Sequence, residues 1–297
     1  MQNFSVTLNS LELTKVLSQL GKYRSNKPNS EQILYFFKVN GSTITIYKNK
    51  RLLIQGSDAE ILGEKLLGKV TKVVKKGLSP NYIGCDEVGV GDYFGGLVTC
   101  AVYLKKINEV KLKTLGVRDS KNLTDEDMLE MFPKLTMLID YAVMDYLPCE
   151  YNALVAKYHN THIVKTYMHD QTIKTLITKC KLSNDIDVVM DQYVDESTYY
   201  DYFKVMKIMN PAKIARFETK AENKYLAVAA ASIIARVTFL KQIQKLSQTA
   251  KQQLLLGASN PKIITQAKEI YRAGGNKLLA KYVKIDFRTT DKVVSRY

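Results

Sequence analysis

The feature that most constrains the fold of this chain is a short, apolar, β-branched run, IDVVMD, at residues 186–191. Such a run is typical of a strand buried on both faces, as in parallel sheets that helices cover on both sides. Further strand-like runs lie at 81–86, 97–104, 139–147 and 214–217, and helical patterns lie at 125–135, 150–181 and 222–245. This alternation of strands and helices predicts an α/β fold after residue 80.

The first 80 residues have a different pattern, which predicts a separate small α+β domain. The expected elements are a strand at 3–8, a helix at 10–20 capped by Asn9, strands at 33–39, 43–47 and 51–55, and a helix from Ser57 or Asp58 to about 70. Asn40-Gly41 and Asn49-Lys50 are the expected hairpin turns. We therefore expect a front domain at 1–70, a linker at 71–80 and a second domain at 81–297.

The charge of the chain favours a polyanionic partner. It has 44 Lys and Arg against 29 Asp and Glu, a formal net charge of +15. Nucleic acid is the first expectation and an anionic membrane surface the second, while a basic surface that serves only solubility stays open. Tyr47, Lys48, Lys50 and Arg51 lie on or beside the expected front sheet. They can contact a phosphate backbone or simply be solvated strand ends.

Cysteine usage and hydropathy favour a cytoplasmic protein. The four cysteines are scattered and form no C-x-x-C pair, which disfavours a disulfide scaffold or a cysteine-based zinc site. Residues 1–11 lack the pattern of a signal peptide. The most apolar stretch, 226–235, is shorter than the roughly 20 residues of a membrane span. We expect no membrane attachment, no protein partner and a monomer.

Acidic residues stand at the ends of the most buried strands of this basic chain. Asp86 and Glu87 end the first strand of the second domain, Asp191 ends IDVVMD, and Glu222 begins the long helix. Parallel strands deliver their carboxyl ends to one edge of the sheet. Carboxylates that converge there are tolerable when a divalent cation neutralises them, and oxygen ligands suit Mg²⁺ or Mn²⁺. The pattern indicates metal-assisted phosphoryl transfer.

Each of these acids also has a structural explanation that the pattern leaves open. Glu222 ends Thr219-Lys-Ala-Glu222, which has the form of a capping box. Asp191 can cap the next element, and Asp86 and Glu87 can belong to an acidic turn. Adjacent strand residues face opposite sides, so both reach one metal only where the strand ends or twists.

The same residues carry a family resemblance. The segment 86–95 (DEVGVGDYFG) resembles the D-E-V-G-x-G signature of the type 2 ribonucleases H, in the form found in ribonuclease HIII. Asp119-Ser120-Lys121 matches the D-S-K element of the family, 189–192 resembles the strand that carries its third acid, and 219–235 matches its fourth block. Val90 replaces the arginine of the Gly-Arg-Gly found in ribonucleases HII, and Glu222 stands where those enzymes have Asp. Gly96 departs from the family, which commonly has proline there.

The resemblance implies a ribonuclease H-like mixed sheet flanked by helices, preceded by a domain like the TATA-box-binding protein. The implied activity is hydrolysis of the RNA strand of RNA–DNA hybrids with Mg²⁺ or Mn²⁺. The implied catalytic and metal-binding acids are Asp86, Glu87, Asp191 and Glu222. The implied substrate contacts in the second domain are Gly89, Val90, Gly91, Ser120 and Lys121, with Lys121 on a phosphate.

Two other functions remain to be compared with this one. The chain could bind hybrids without cutting them, or cut DNA structures on a related fold. His159 and His162 have spacing that could suggest zinc, but no further ligand lies nearby, so we interpret them and His169 as surface or packing residues. Tyr93, beside the signature, is the best candidate for stacking on a base.

Overall fold

The computed structural model describes residues 2–26, 28, 30–68, 77–117 and 123–295, and the chain forms two compact units, Met1–Gly77 and Leu78–Tyr297. The stretch 71–76 of the expected linker lies outside the described residues.

The front unit is a four-stranded antiparallel sheet with two helices. Its elements are β1 (Gln2–Thr7), α1 (Ser10–Leu20), β2 (Ile33–Val39), β3 (Ser42–Tyr47), β4 (Arg51–Gly56) and α2 (Ala59–Leu67), and the strand order is β1-β4-β3-β2. The predicted cap of α1 is confirmed, because Asn9 Oδ1 accepts the Glu12 N–H at 2.9 Å. In turn, Glu12 Oε2 accepts the Asn9 N–H. Val16 and Leu20 of α1 pack with Ile44 of β3 in one apolar core.

The second unit contains a five-stranded mixed sheet. Its strands are β5 (Tyr82–Val88), β6 (Leu97–Leu104), β7 (Asp140–Tyr146), β8 (Val188–Asp191) and β9 (Arg216–Glu218). Its helices are α3 (Glu109–Thr114), α4 (Asp125–Thr136), α5 (Pro148–Tyr158), α6 (Thr161–Cys180), α7 (Glu196–Met206), α8 (Leu226–Ala250), α9 (Pro261–Leu279) and α10 (Arg288–Val294).

The sheet order is β7-β6-β5-β8-β9, with β5, β8 and β9 parallel and the β7-β6-β5 pairs antiparallel. Apolar cores cover both faces, as the IDVVMD pattern predicted: one is built on α8, α4 and α9, and the other on α6 and α7. The expectation of a mixed sheet flanked by helices is therefore confirmed.

Helix α8 lies directly against β5. A Cβ atom added to Gly84 would lie 2.4 Å from the Val228 backbone nitrogen, so the glycine and the small residues of α8 allow this close contact. The helix is long and apolar enough to cross a membrane, which the length estimate from residues 226–235 missed. However, 72% of its most apolar window is buried in the unit, as in the core helix of a globular domain.

The structure corrects one detail of the fold that affects the site. The long helix begins at Leu226, not at Glu222, and Glu222 lies in a 3₁₀ turn at Ala221–Asn223. No side chain caps this turn, so the predicted capping box is wrong. The physical reason is that Lys220 adopts a left-handed conformation, φ 54°, which separates Thr219 from the helix.

Candidate active site

The carboxyl ends of the parallel strands meet at one cavity of about 480 Å³ in the second unit. Three of the four predicted acids line it: Asp86 from β5, Asp191 from the end of β8, and Glu222 from the 3₁₀ turn before α8. The lining residues are Asp86, Val88, Leu123, Asp125, Met128, Asp191, Glu222, Ser232 and Arg236. The parallel pairing β8–β5 and β8–β9 thus brings together acids that are up to 136 positions apart in the sequence.

Asp86 faces α8 because it shares a strand face with Gly84. Its Oδ1 accepts the backbone N–H of Glu87 at 2.8 Å, and the Ser232 hydroxyl also donates to the carboxylate. Burial raises the pKa of Asp86 well above its usual range, and the charges of Glu87 and Asp191 raise it further. A cation in the cavity would relieve both effects.

Glu87, the next residue on β5, faces the other side of the sheet and does not line the cavity. Its Oε1 accepts from Lys165 Nζ at 2.6 Å and its Oε2 accepts from His169 Nε2 at 2.9 Å, both on α6. Burial alone would raise the pKa of Glu87, but the hydrogen bonds and charges of His169 and Lys165 lower it to about 2. Asp86 and Glu87 therefore face opposite sides of the sheet, as expected for adjacent residues of one strand.

Asp191 is held at the cavity by the turn that carries Glu222. Its Oδ1 accepts the Ala221 backbone N–H at 2.8 Å. Burial raises the pKa of Asp191, although this N–H opposes the shift, and the charges of Glu222 and Glu87 raise it again. One hydrogen bond therefore couples the positions of the third and fourth acids.

An ion pair that the sequence analysis missed completes the cavity wall. Arg236, one turn after Ser232 on α8, donates from Nε and Nη2 to the two oxygens of Asp125 at 2.8 and 2.9 Å. Arg236 is the one cationic side chain among the described lining residues. The i, i+4 spacing from Ser232 would have placed it on the Asp86 side of the helix, and this signal was available in the sequence.

The glycine-rich turn after β5 has two different kinds of glycine. Gly89 is buried with φ +105°, and a Cβ atom there would lie 2.6 Å from the Gly96 carbonyl oxygen. The backbone conformation and packing of the protein itself therefore require glycine at this position. A Cβ on Gly91 would meet nothing within 4 Å, and Val90 is 52% exposed. The exposed backbone of Val90 and Gly91 is the part of the turn that a ligand can approach.

Gly96, the position where the family commonly has proline, is tightly enclosed. Its N–H donates to Gln242 Oε1 at 2.7 Å, and an added Cβ would lie 1.9 Å from the Tyr146 carbonyl oxygen. Proline would lose that hydrogen bond. Glycine at this position therefore belongs to a tightly packed turn.

Tyr93 and His169 do not line the cavity. Ser120 and Lys121 of the D-S-K element lie outside the described residues. Tyr93 is fully buried, with its hydroxyl 3.0 Å from Thr290 Oγ1, so its predicted stacking on a base is wrong. His169 is a buried residue, as one of the two interpretations held, but it contacts Glu87 and does more than fill space.

The four front-unit residues lie at the β3–β4 hairpin. Lys48 and Lys50 are exposed in the turn, and Lys50 Nζ donates to Ser10 Oγ at 3.1 Å. Tyr47 is half-buried, and the exposed Arg51 donates from Nε to Ser5 Oγ at 2.9 Å. By strand alternation, Tyr47 and Arg51 lie on the sheet face opposite Ile44, Ile46, Leu52 and Ile54, the buried aliphatic residues of β3 and β4.

The donor set of the cavity fits Mg²⁺ or Mn²⁺. It offers carboxylate and hydroxyl oxygens, and no cysteine or histidine is among the described lining residues. Among the described residues, no three acidic, histidine or cysteine side chains are close enough together to enclose an ion. An open wall of carboxylates suits Mg²⁺, which keeps several of its waters and takes only one or two carboxylates directly.

Comparisons with known proteins agree with this geometry. The profile of the ribonuclease HII family matches residues 83–290, and that of a domain of unknown function, DUF3378, matches residues 3–77. The chain is similar to ribonuclease HIII of Streptococcus gordonii, with 36% identity over 98% of both chains, and to that of Phytoplasma mali, with 33% over 98% of both. The solved structure of Bst-RNase HIII in complex with Mn²⁺ superposes with a TM-score of 0.68 at 26% identity, covering 98% of each chain.

Proposed function

Because this chain belongs to the ribonuclease HIII branch of the type 2 ribonuclease H family, we propose that Asp86, Asp191 and Glu222, with Glu87 behind them, form its active site. The chain is an endoribonuclease that hydrolyses the RNA strand of RNA–DNA hybrids with Mg²⁺ or Mn²⁺. The observation that carries the assignment is the convergence of three carboxylates from β5, β8 and the turn before α8 on one cavity.

In this proposal the acids hold the metal and orient the reacting groups. When bound, the divalent cation supplies an activated water and stabilises charge on the scissile phosphate. Asp86, Asp191 and Glu222 would hold the cation, and Asp86 is anchored from α8 by the Ser232 hydroxyl. The Ser232 hydroxyl and the Glu87 N–H restrict the rotation of Asp86, which keeps it aimed into the cavity.

Basic groups and exposed backbone complete the proposed contacts with the hybrid. The Arg236 guanidinium, fixed by Asp125, presents a positive charge in the cavity to a phosphate next to the cut. The backbone of Val90 and Gly91 can approach a ribose, where the 2′-OH distinguishes RNA from DNA. By the family resemblance, Gly89, Ser120 and Lys121 also contact the substrate, with Lys121 on a phosphate, and the buried Gly89 shapes the turn that carries Val90 and Gly91.

We also propose that the front unit adds affinity through the sheet face that bears Tyr47 and Arg51, with Lys48 and Lys50 at its edge. Exposed lysine and arginine side chains release counterions when they meet phosphates, which favours binding to any nucleic acid backbone. This contribution would be independent of sequence and strongly dependent on salt.

A substrate panel tests the proposed activity. The complete chain would be incubated with labelled RNA–DNA hybrid, DNA duplex and Holliday junction, each with Mg²⁺, Mn²⁺ or EDTA. We expect cuts in the RNA strand of the hybrid with either metal and none with EDTA. Cutting of the junction, or binding of the hybrid without cutting under every condition, would refute the assignment and favour one of the two alternative functions.

We propose a monomer in the cytoplasm. All four cysteines are free, and two of them, Cys85 and Cys100, are buried on the neighbouring strands β5 and β6. Free thiols suit a reducing compartment. Light scattering coupled to size exclusion checks the oligomeric state: a mass near 33.7 kDa is expected, and a mass near twice that value would contradict it.

A further inference from the structure

The contact between Glu87 and helix α6 has no role in the mechanism described so far. Both partners of Glu87 are almost inaccessible to solvent: the exposed fraction is 6% for Lys165 and 0% for His169. Each takes one carboxylate oxygen, at 2.6 and 2.9 Å. The carboxylate is therefore held in one orientation by two donors one turn apart on the same helix.

The two α6 residues depend on Glu87 for their own burial. A buried ammonium without a counter-charge is costly, and Glu87 is the carboxylate that pairs with Lys165 in the described part of the chain. Nε2 of His169 bonds to Glu87, whereas its Nδ1 is buried and has no hydrogen-bond partner among the described residues. The polar interactions of both side chains are thus directed at this acid.

Tyr193 extends the same contact to the strand that carries Asp191. It follows Asp191 by two residues, and its ring centre lies 3.7 Å from Lys165 Nζ. Its hydroxyl lies 2.8 Å from Thr166 Oγ1, and its ring stacks on His169 with 6.0 Å between centres. Helix α6 therefore supports both β5 and the end of β8 from the face opposite the cavity.

The charges of Lys165 and Glu87 also reach the cavity acids. Glu87 is the neighbour of Asp86 on β5, and Lys165 Nζ contacts the ring of Tyr193, two residues after Asp191. The two buried charges are weakly screened by solvent. Removal of one of them would leave the field of the other uncompensated at the metal site.

We propose that Lys165 and His169 are positioning residues, which fix the Glu87 carboxylate and set how strongly its charge acts on the metal held by Asp86, Asp191 and Glu222. This inference rests on the proposed active site. It adds the positive charge of Lys165 on α6, which opposes the charge of Glu87, to the four acids. Lys165 would weaken metal binding by about tenfold and, in return, hold Glu87 where catalysis needs it.

A thermodynamic cycle on Mn²⁺ binding tests the proposal without relying on activity. Unbound Mn²⁺ would be measured by electron paramagnetic resonance in the complete wild-type chain, in Lys165→Met, in Glu87→Gln and in the double variant. We expect Mn²⁺ to bind about tenfold more tightly to Lys165→Met and about tenfold more weakly to Glu87→Gln, as for a unit charge beside a site. The double variant should return to within about twofold of wild type.

Hybrid cleavage supplies the second arm. His169→Phe removes one donor to Glu87, and we expect kcat at saturating metal to fall about tenfold in the wild-type background but not in the Glu87→Gln background. Lys165→Arg, which keeps the charge, should keep the wild-type Mn²⁺ affinity. Lys179→Met, on the same helix but bonded to the Tyr141 carbonyl, is the matched control and should change neither quantity.

Two results would overturn the proposal: Mn²⁺ affinity within twofold of wild type in Lys165→Met, or a double variant that binds Mn²⁺ as weakly as Glu87→Gln alone. If Lys165→Met does not fold, Lys165→Gln replaces it as the neutral variant. Asp86→Asn distinguishes failure of the proposed active site from failure of the positioning role. If it does not weaken Mn²⁺ binding, the proposed active site itself fails, whereas a loss in Asp86→Asn with no effect at Lys165 refutes only the positioning role.

Discussion

Lys284 should make the stability of the chain depend on pH in an unusual direction. Its side chain is fully buried, and its Nζ donates to the carbonyl oxygens of Gly95 and Gly96 at 2.9 and 3.0 Å. It thereby fixes the turn that follows the signature segment to the C-terminal part of the chain. Burial lowers the pKa of Lys284 to about 7, and the charges of Asp92 and Asp286 only partly oppose this.

The sign follows from proton binding. Above a pH of about 7 the native side chain loses its proton, while the lysine of the unfolded chain keeps it to about pH 10.4. The unfolded state then binds more protons, so the free energy of unfolding rises with pH. The full slope is about 1.4 kcal/mol per pH unit, and it is smaller near pH 7 because the native lysine is still partly protonated there. Lys284 therefore increases the free energy of unfolding by about 2 kcal/mol between pH 7 and 9.

The assay compares wild type with Lys284→Met by urea unfolding, followed by circular dichroism, at pH 7 and pH 9. The difference in unfolding free energy between the two proteins should grow by about 2 kcal/mol in favour of wild type at the higher pH. Tyr93 and Tyr151 do not titrate in this range because burial raises the pKa of each. Lys281→Met, an exposed lysine of the same segment, is the control. A difference that is constant or smaller at pH 9 would refute the reasoning.

Three further predictions concern the substrate. Arg236→Met should raise KM for the hybrid about tenfold and Arg236→Lys less, because a charge-assisted bond to phosphate is lost; equal kinetics for all three proteins would contradict the contact. Lys48→Glu combined with Arg51→Glu should weaken binding and flatten its salt dependence by about 0.9 in log–log slope per lost phosphate, measured by fluorescence anisotropy; an unchanged slope removes this face from the interface. Because Val90 replaces the arginine of ribonucleases HII, a run of ribonucleotides should be cut faster than a single ribonucleotide embedded in DNA, and efficient cleavage of the latter in a gel assay would count against this.

Local patterns predicted the parts of the site that depend on strand order. The apolar run before Asp191 and the strand before Asp86 indicated parallel neighbours, and their carboxyl ends do meet at one cavity. The cap of α1 was also predictable, because Asn9 and Glu12 are three residues apart.

Long-range contacts could not be predicted in this way. Lys165 and His169 are 78 and 82 residues from Glu87, and their helical spacing alone is equally typical of a solvated helix face. Tyr93 was misjudged because its nearness to the signature in sequence says nothing about the Thr290 side chain that covers it. The false capping box at Glu222 had the right letters, but one left-handed residue, Lys220, moved the helix start by four positions.

Asp86 is the proposed metal ligand on which the assignment of the active site depends most. The decisive measurement is cleavage of a labelled RNA–DNA hybrid in Mg²⁺ and in Mn²⁺ by wild type, by Asp86→Asn and by Asp140→Asn. Asp140 is the control carboxylate: it lies on the edge strand β7 and pairs with Lys105. We predict that Asp86→Asn still binds the hybrid but loses cleavage by at least about a hundredfold with either metal, while Asp140→Asn cuts like wild type. Cleavage by Asp86→Asn at the wild-type rate would show that the cavity at the ends of β5 and β8 is not the active site.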